Sequence, residues 1–158
     1  MVAIILIIAA IAIPNLLRAR IAANESSAVS SIRTINTGQA TYQMTFPTFG
    51  YASTLAMLGP AAAGCAAGPV QANACLIDIV LASANGAATA KSGYYFTVTA
   101  PGAVVYTDYT VGGAAANWNV TGVRGFCSNS DGVIRFTASL NGAPVTTNAA
   151  CVAYTNLQ

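Results

Sequence analysis

The chain has 158 residues, of which 55% are hydrophobic and 6% are charged, and its formal net charge is +2. Soluble domains usually carry about 25% charged residues, and the few basic residues here are scattered, which argues against a nucleic-acid-binding surface. The chain has no histidine, so the commonest general base and metal ligand is missing. These features favour one domain with an extension and argue against an enzyme.

The N-terminal segment is the most apolar part of the chain. Residues 1–17 contain no charged side chain, and only Pro14 and Asn15 interrupt the apolar run. Apolar residues on every face are typical of a helix buried in lipid or in other protein. The run makes about 25 Å of helix, close to the lower limit for a bilayer core.

The helical pattern continues beyond this run as an amphipathic stripe. Apolar residues recur at helical spacing, which predicts a face that packs on a globular body; they are Leu17, Ile21, Val29, Ile32, Ile35 and Tyr42. We predict one helix over residues 1–45, with an apolar half at 1–17 and an amphipathic half at 18–45. Pro47 ends it, because proline cannot donate a backbone hydrogen bond.

Two features of this helix need interpretation. Pro14 is either a kink without a role or a weak point where the helix bends or melts. A secretory signal peptide is disfavoured, because no basic residue precedes the apolar run and the helical periodicity continues past any cleavage position.

Residues 46–158 predict a globular head of short helices followed by strands. We expect helical turns at 53–58 and 76–85, and strands at 94–99, 104–111, 120–127 and 133–140. Turns are predicted at Pro101-Gly102, at Gly112-Gly113 and at 128–132, where Asp131-Gly132 suits a hairpin. A helix followed by consecutive antiparallel strands gives an α+β fold, with the amphipathic half of the helix across one face of the sheet.

The four cysteines all follow the apolar segment, which suits an oxidising exterior. Three pairings are possible, and proximity in sequence favours Cys65–Cys75 and Cys127–Cys151. Four reduced, buried cysteines are the alternative. Zinc is disfavoured, because the chain lacks histidine and Cys-x-x-Cys spacing.

The remaining polar residues form no recognisable reaction centre. The carboxylates Glu25, Asp78, Asp108 and Asp131 fall on separate predicted elements, and no nucleophile or phosphate-binding motif is present. Asp131-Gly132 favours a hairpin turn over a calcium loop, because no second carboxylate lies nearby in sequence. We therefore expect no catalytic residues, no metal and no cofactor.

The segment AIILIIAAIAIPNLLRARIAANESSAVSSIRTINT, residues 3–37, closely resembles the N-terminal helix of bacterial type IV pilins and pseudopilins. The unbroken apolar run, the proline at its far end and the Arg-containing polar continuation carry the resemblance, which is looser after about residue 45. The later order of loop, antiparallel sheet and disulfide-closed C-terminal region is also similar.

The resemblance implies a pilin fold and a structural role. Pilins wait in the inner membrane, are processed by a prepilin peptidase, and are polymerised by an inner-membrane assembly machinery into an extracellular helical filament. Their apolar helix halves form the filament core, and the equivalent of Pro14 often marks a helix break. The implied core residues in this chain are Ile4, Ile5, Leu6, Ile7, Ile8, Ile11, Ile13, Leu16 and Leu17.

The sequence departs from the family pattern before Met1. Family members have a leader ending in glycine, then an aromatic residue and a glutamate within the apolar stretch, and none of these precedes Met1. We expect the leader and the first mature residues to be missing from the sequence, and a true variant of the family is the alternative. The roles of that glutamate and of the leader are therefore assigned to no residue of this chain.

The leading hypothesis is a homopolymeric pilus subunit on the cell surface. A pseudopilin or minor pilin of a secretion or DNA-uptake system is the nearest alternative, and a membrane-tethered binding domain acting as a monomer is the alternative from another class. The sequence does not distinguish adhesion, motility, DNA uptake and electron transfer as roles for the filament.

Overall fold

The computed structural model describes residues 2–62, 64–66, 68–102, 105–138 and 142–157, without the side chains of residues 4–14. Helix α1 spans Val2–Thr45, and the short helices α2 and α3 span Leu55–Leu58 and Ile79–Ala82. A 3-10 turn at Ala87–Thr89 leads into the strands. The strands are β1 (Tyr94–Thr99), β2 (Thr110–Ala115), β3 (Gly125–Asn129), β4 (Ile134–Thr137) and β5 (Thr155–Asn156), with helix α4 (Asn148–Val152) between the last two.

The strands form one antiparallel sheet in the order β1-β2-β3-β4-β5. Each strand pairs with the next one in sequence, as a meander does. The long helix, the consecutive strands and their antiparallel pairing confirm the predicted α+β fold.

Helix α1 covers one face of this sheet. Ile32 and Ile35 are fully buried and lie on its apolar stripe. The facing side chains come from alternate positions of β1 and from β3, with Phe96 and Phe126 both opposite Gly113 of β2. The predicted amphipathic half of α1 therefore forms the main core of the head with the sheet.

The chain after β4 covers the other face. Cys127 of β3 is bridged to Cys151 of α4, and Val145 packs with this pair in a second small core. All residues of β3 are consequently buried, because the helix and the C-terminal tail cover opposite faces of the sheet.

The position of β2 differs from the prediction. The strand was expected at 104–111 and closed by Gly112-Gly113, but both glycines lie inside β2. The Phe96 ring lies 3.1 Å from where a Cβ of Gly113 would be. Close approach of other groups, not a turn, therefore explains the glycines. Of the predicted strand, residue 104 lies outside the described residues.

The bounds of other strands also differ from the predicted ones. β3 begins later than predicted and ends at Asn129, and β4 is confined to Ile134–Thr137 within the predicted 133–140, of which 139 and 140 lie outside the described residues. β1 matches its predicted bounds, and α2 and α3 fall within the predicted helical segments. Helix α4 and strand β5 had no prediction, because both are short and lie in a tail held by the second disulfide.

Candidate assembly interface

Helix α1 extends beyond the head at its N-terminal end. Residues 15–20 are all exposed, and Leu16 and Leu17 are exposed by 72% and 46%. Ile21 is half-buried, and the continuous buried stripe begins at Ala28. An aliphatic pair on a helix that has left its own core is an apolar surface without a partner in the head.

The other predicted core-forming residues belong to the same protruding part. The side chains of Ile4, Ile5, Leu6, Ile7, Ile8, Ile11 and Ile13 lie outside the described residues. Helix α1 runs through position 14, but the Pro14 side chain is also outside the description, so its role as a helix break stays a prediction.

Two adjacent residues fasten the helix to the head where it leaves the sheet. The Asn24 amide donates to the backbone oxygen of Thr121 at 2.9 Å. The Val123 amide donates to Glu25 Oε1 at 3.0 Å. Both contacts join α1 to the loop before β3, so the base of the protruding segment is held by hydrogen bonds as well as by packing.

A buried glutamine fastens the other end of α1. Gln39 is fully buried, and its amide forms two hydrogen bonds with the backbone of Ala52, accepting from the Ala52 nitrogen at 2.8 Å and donating to the Ala52 oxygen at 2.9 Å. This pair satisfies polar groups that burial would otherwise leave costly. The sequence signal was a polar residue within the apolar stripe, four positions after Ile35.

A third polar contact lies between these two ends. Asn36 donates to Ser128 Oγ at 2.8 Å and accepts from the Tyr109 hydroxyl at 3.2 Å. Burial raises the pKa of the Tyr109 hydroxyl, which therefore keeps its proton and remains a donor. The helix is thus fixed to β3 and to the loop before β2.

The structure forms both disulfides that sequence proximity favoured, Cys65–Cys75 and Cys127–Cys151. The first closes a surface loop, and Cys65 is exposed. The second is buried against the sheet, with both cysteines fully inaccessible. The second bridge therefore anchors the C-terminal tail to the head.

A groove runs between α1 and the C-terminal edge of the sheet. Its volume is about 370 Å³, and Val29, Arg33, Arg124 and Leu157 are among its lining residues. Glu25 Oε2 lies 3.8 Å from Arg124 Nε, and the Arg124 guanidinium stands 5.2 Å from the centroid of the Phe136 ring. Arg33 is exposed, and among the described residues no carboxylate lies within ion-pair distance of it.

A polar cluster lies at the opposite side of the sheet, under the tail. Asn129 donates to Asn148 at 3.1 Å, and Asn148 donates to Asp108 at 2.6 Å. Burial by itself raises the pKa of Asp108, but hydrogen bonds from Ser130, Asn148 and the Tyr109 amide more than offset it, so the pKa lies below its usual range. Asp108 and Asp131 were predicted on separate elements, and the donors around Asp108 give it a structural role.

Asp131 makes a different contact. It accepts from Arg135 Nη2 at 2.6 Å and from the Val133 amide at 2.9 Å. The Arg135 hydrogen bond is the main reason that the pKa of Asp131 lies below its usual range. Asp131 therefore holds the β3–β4 turn together, and Gly132 adopts a φ of +72° there.

Among the residues that the structure describes, no helix is long and apolar enough to cross a membrane. The same residues contain no group of three or more cysteine, aspartate or glutamate side chains that could hold a metal ion.

The long helix packed on an antiparallel sheet, with a disulfide-closed tail, fits a pilin-like fold. Comparison of the chain with protein-family models, with curated proteins and with solved structures gives no match.

Proposed function

We propose that this protein is a structural subunit that polymerises through its N-terminal helix into an extracellular filament of the type IV pilus kind. The mechanism is assembly. The apolar half of α1 waits in the inner membrane and then moves sideways into a bundle of identical helices, while the head forms the outer surface.

One observation carries this proposal: α1 leaves the head with Leu16 and Leu17 exposed. The apolar residues that precede them in sequence continue this character to the start of the helix. Burying an aliphatic side chain contributes about 1.5–3 kcal/mol relative to water. Relative to lipid the gain is smaller and comes from close helix packing.

The attachment of the helix to the head supports the same proposal. Asn24, Glu25 and Gln39 fix the amphipathic half along the head. A rigidly attached helix transmits the position of its apolar half to the position of the head. In a polymer of such subunits, the arrangement of the helices in the core therefore determines the position of each head.

The partners follow from this mechanism. The subunit contacts other copies of itself in the filament, a membrane before assembly, and the prepilin peptidase and inner-membrane assembly machinery that such filaments require. Its place is first the inner membrane and then the cell surface. No substrate, metal or cofactor enters the proposal.

Cryo-electron microscopy of material sheared from producing cells tests the proposal directly. We expect filaments whose density, built without a template, follows this sequence with the apolar helices at the axis. Recovery of the chain only in the detergent-extracted membrane as a monomer would overturn the proposal in favour of a tethered domain. Its recovery there in complex with a secretion system would favour a pseudopilin.

A further inference from the structure

The edge of the head next to β1 carries an exposed apolar projection. Ile79 and Val80 of α3 are exposed by 53% and 56%. They stand between buried residues, because Ile77 and Leu81 on either side belong to the main core. We call residues 78–80 the knuckle, since these three residues are exposed between two buried ones.

The knuckle also carries an exposed acidic residue without a basic partner. Asp78 Oδ1 accepts from the Leu81 amide at 2.9 Å and so caps α3. Among the described residues no basic side chain lies within ion-pair distance of Asp78. The other three carboxylates make side-chain contacts inside the head: Glu25 with Arg124, Asp131 with Arg135, and Asp108 with Asn148.

The groove described above has the complementary character. Val29 and Leu157 contribute its apolar lining, and Arg33 adds an exposed cation that has no carboxylate partner among the described residues. Many protein interfaces combine an apolar contact with a pair of opposite charges beside it, and the charge pair fixes how the two surfaces align. The knuckle supplies two aliphatic side chains and one carboxylate of the required sign.

The two surfaces lie at opposite edges of the same sheet. The segment after α3 is joined to β1, where the Phe96 amide donates to the Ala84 oxygen at 2.7 Å. The groove is lined by Leu157, which follows directly after β5, the strand at the other end of the sheet. A knuckle and a groove on opposite edges of one head make contact only between different copies, and such a heterologous contact extends from subunit to subunit.

We propose that the knuckle of one subunit docks into the groove of the adjacent subunit, with Asp78 paired to Arg33. This inference rests on the proposed function, because it describes how neighbouring heads meet in the polymer. Ile77, which precedes Asp78, packs at Gly38 of α1. Gly38 follows Arg33 by five positions, so pairing Asp78 with Arg33 staggers docked neighbours by about 7.5 Å along the helix direction.

Charge exchange in the full-length chain tests the pair. Asp78→Asn removes the charge and keeps a residue that caps helices well, and Arg33→Asp places two carboxylates together. We expect Arg33→Asp to lower the filament protein in the sheared fraction about tenfold and Asp78→Asn to lower it less. The exchange Asp78→Arg with Arg33→Asp should restore filaments. Filament yields unaffected by Arg33→Asp would overturn the pairing.

A cross-link tests the contact without relying on yield. Val80→Cys combined with Ser26→Cys, an exposed residue that lines the groove, should give ladders of covalent oligomers when sheared filaments are treated with a short bismaleimide. Such a reagent leaves the two native disulfides intact. Val152 is exposed by the same 56% as Val80, so Val152→Cys with Ser26→Cys is the matched control and should give no ladder.

The outcomes separate the two proposals. Filaments that form normally but give no ladder from the Val80 and Ser26 pair would overturn the docking inference and leave the proposed function in place. If the unaltered chain forms no filaments at all, the proposed function fails, and the docking inference fails with it.

Discussion

The backbone of Val145 crosses the sheet directly over Gly112. A Cβ atom at Gly112 would overlap the carbonyl oxygen of Val145 and would lie 2.7 Å from its amide nitrogen. Gly112 pairs with Cys127 on the neighbouring strand, and Cys127 is bridged to Cys151. Gly112 leaves room for the tail and the disulfide attaches the tail to β3, so the tail lies flat against the sheet.

Gly112→Ala should destabilise the head by displacing this tail. Inserting a methyl group into such a tight contact typically costs about 1–3 kcal/mol, measured as the free energy of unfolding by denaturant titration. Gly86→Ala is the matched control, because Gly86 has an extended backbone and the atom nearest to its new Cβ would be Thr89 Oγ1 at 3.9 Å. Equal stability of the two variants would contradict the role assigned to Gly112.

Gln39→Leu should weaken the attachment of α1 to the head. The substitution leaves the buried amide and carbonyl of Ala52 without the two hydrogen bonds that Gln39 provides, and each unsatisfied buried group costs about 1–3 kcal/mol.

Gln43→Leu provides the comparison on the same helix, because Gln43 is exposed and the change has a similar effect on helix propensity. We expect a lower thermal midpoint for Gln39→Leu alone. A shift of similar size in both variants would mean that the Ala52 contacts contribute little to stability.

The sequence alone predicts an element well when the apolar residues of that element recur at one regular spacing. Of the six residues predicted on the stripe of α1, four are buried, whereas Leu17 is exposed by 46% and Ile21 is half-buried; the buried ones are Val29, Ile32, Ile35 and Tyr42. β1 was predicted from its aromatic and branched residues and has the predicted bounds. In these segments the residues that form the element also form the core, so local and tertiary preferences agree.

β2 could not be predicted in the same way, because its glycines are explained by distant residues. Gly112 accommodates Val145 and Gly113 accommodates Phe96, and in sequence alone a Gly-Gly pair predicts a turn. The groove could not be predicted for the same reason, because Arg33 and Leu157 are far apart in sequence and line one groove only in the folded chain. The apolar surface of α1 was predictable because its residues are contiguous.

Acid should destabilise the head below about pH 4. The pKa values of Asp108 and Asp131 both lie below the ordinary value of 3.8, so each carboxylate binds protons less readily in the folded chain than in the unfolded chain. Their contribution is complete above the unfolded pKa and is lost as the pH falls through the folded pKa. The free energy of unfolding should therefore decline below the ordinary aspartate pKa.

Asp131→Asn tests this pH dependence. The variant should be less stable than the unaltered chain near neutral pH, because the Arg135 contact loses its charge, and its stability should decline less steeply in acid. Thermal midpoints measured from pH 7 to pH 2 compare the two chains. Acid limbs of the same steepness would show that Asp131 does not contribute to the decline.

Leu16→Asp should abolish filaments while leaving the head folded. Leu16 is exposed by 72% in the isolated chain, so the folded head does not depend on it. In a bundle of helices, however, the new carboxylate would be buried without a partner, which costs several kcal/mol for each subunit. Met44, exposed by 82%, lies at the other end of α1, so Met44→Asp introduces the same charge on the same helix outside the proposed core. We expect the sheared fraction to contain filaments of Met44→Asp and none of Leu16→Asp, with cooperative thermal unfolding of both purified chains. Normal filaments of Leu16→Asp would require an assembly that does not bury this part of the helix.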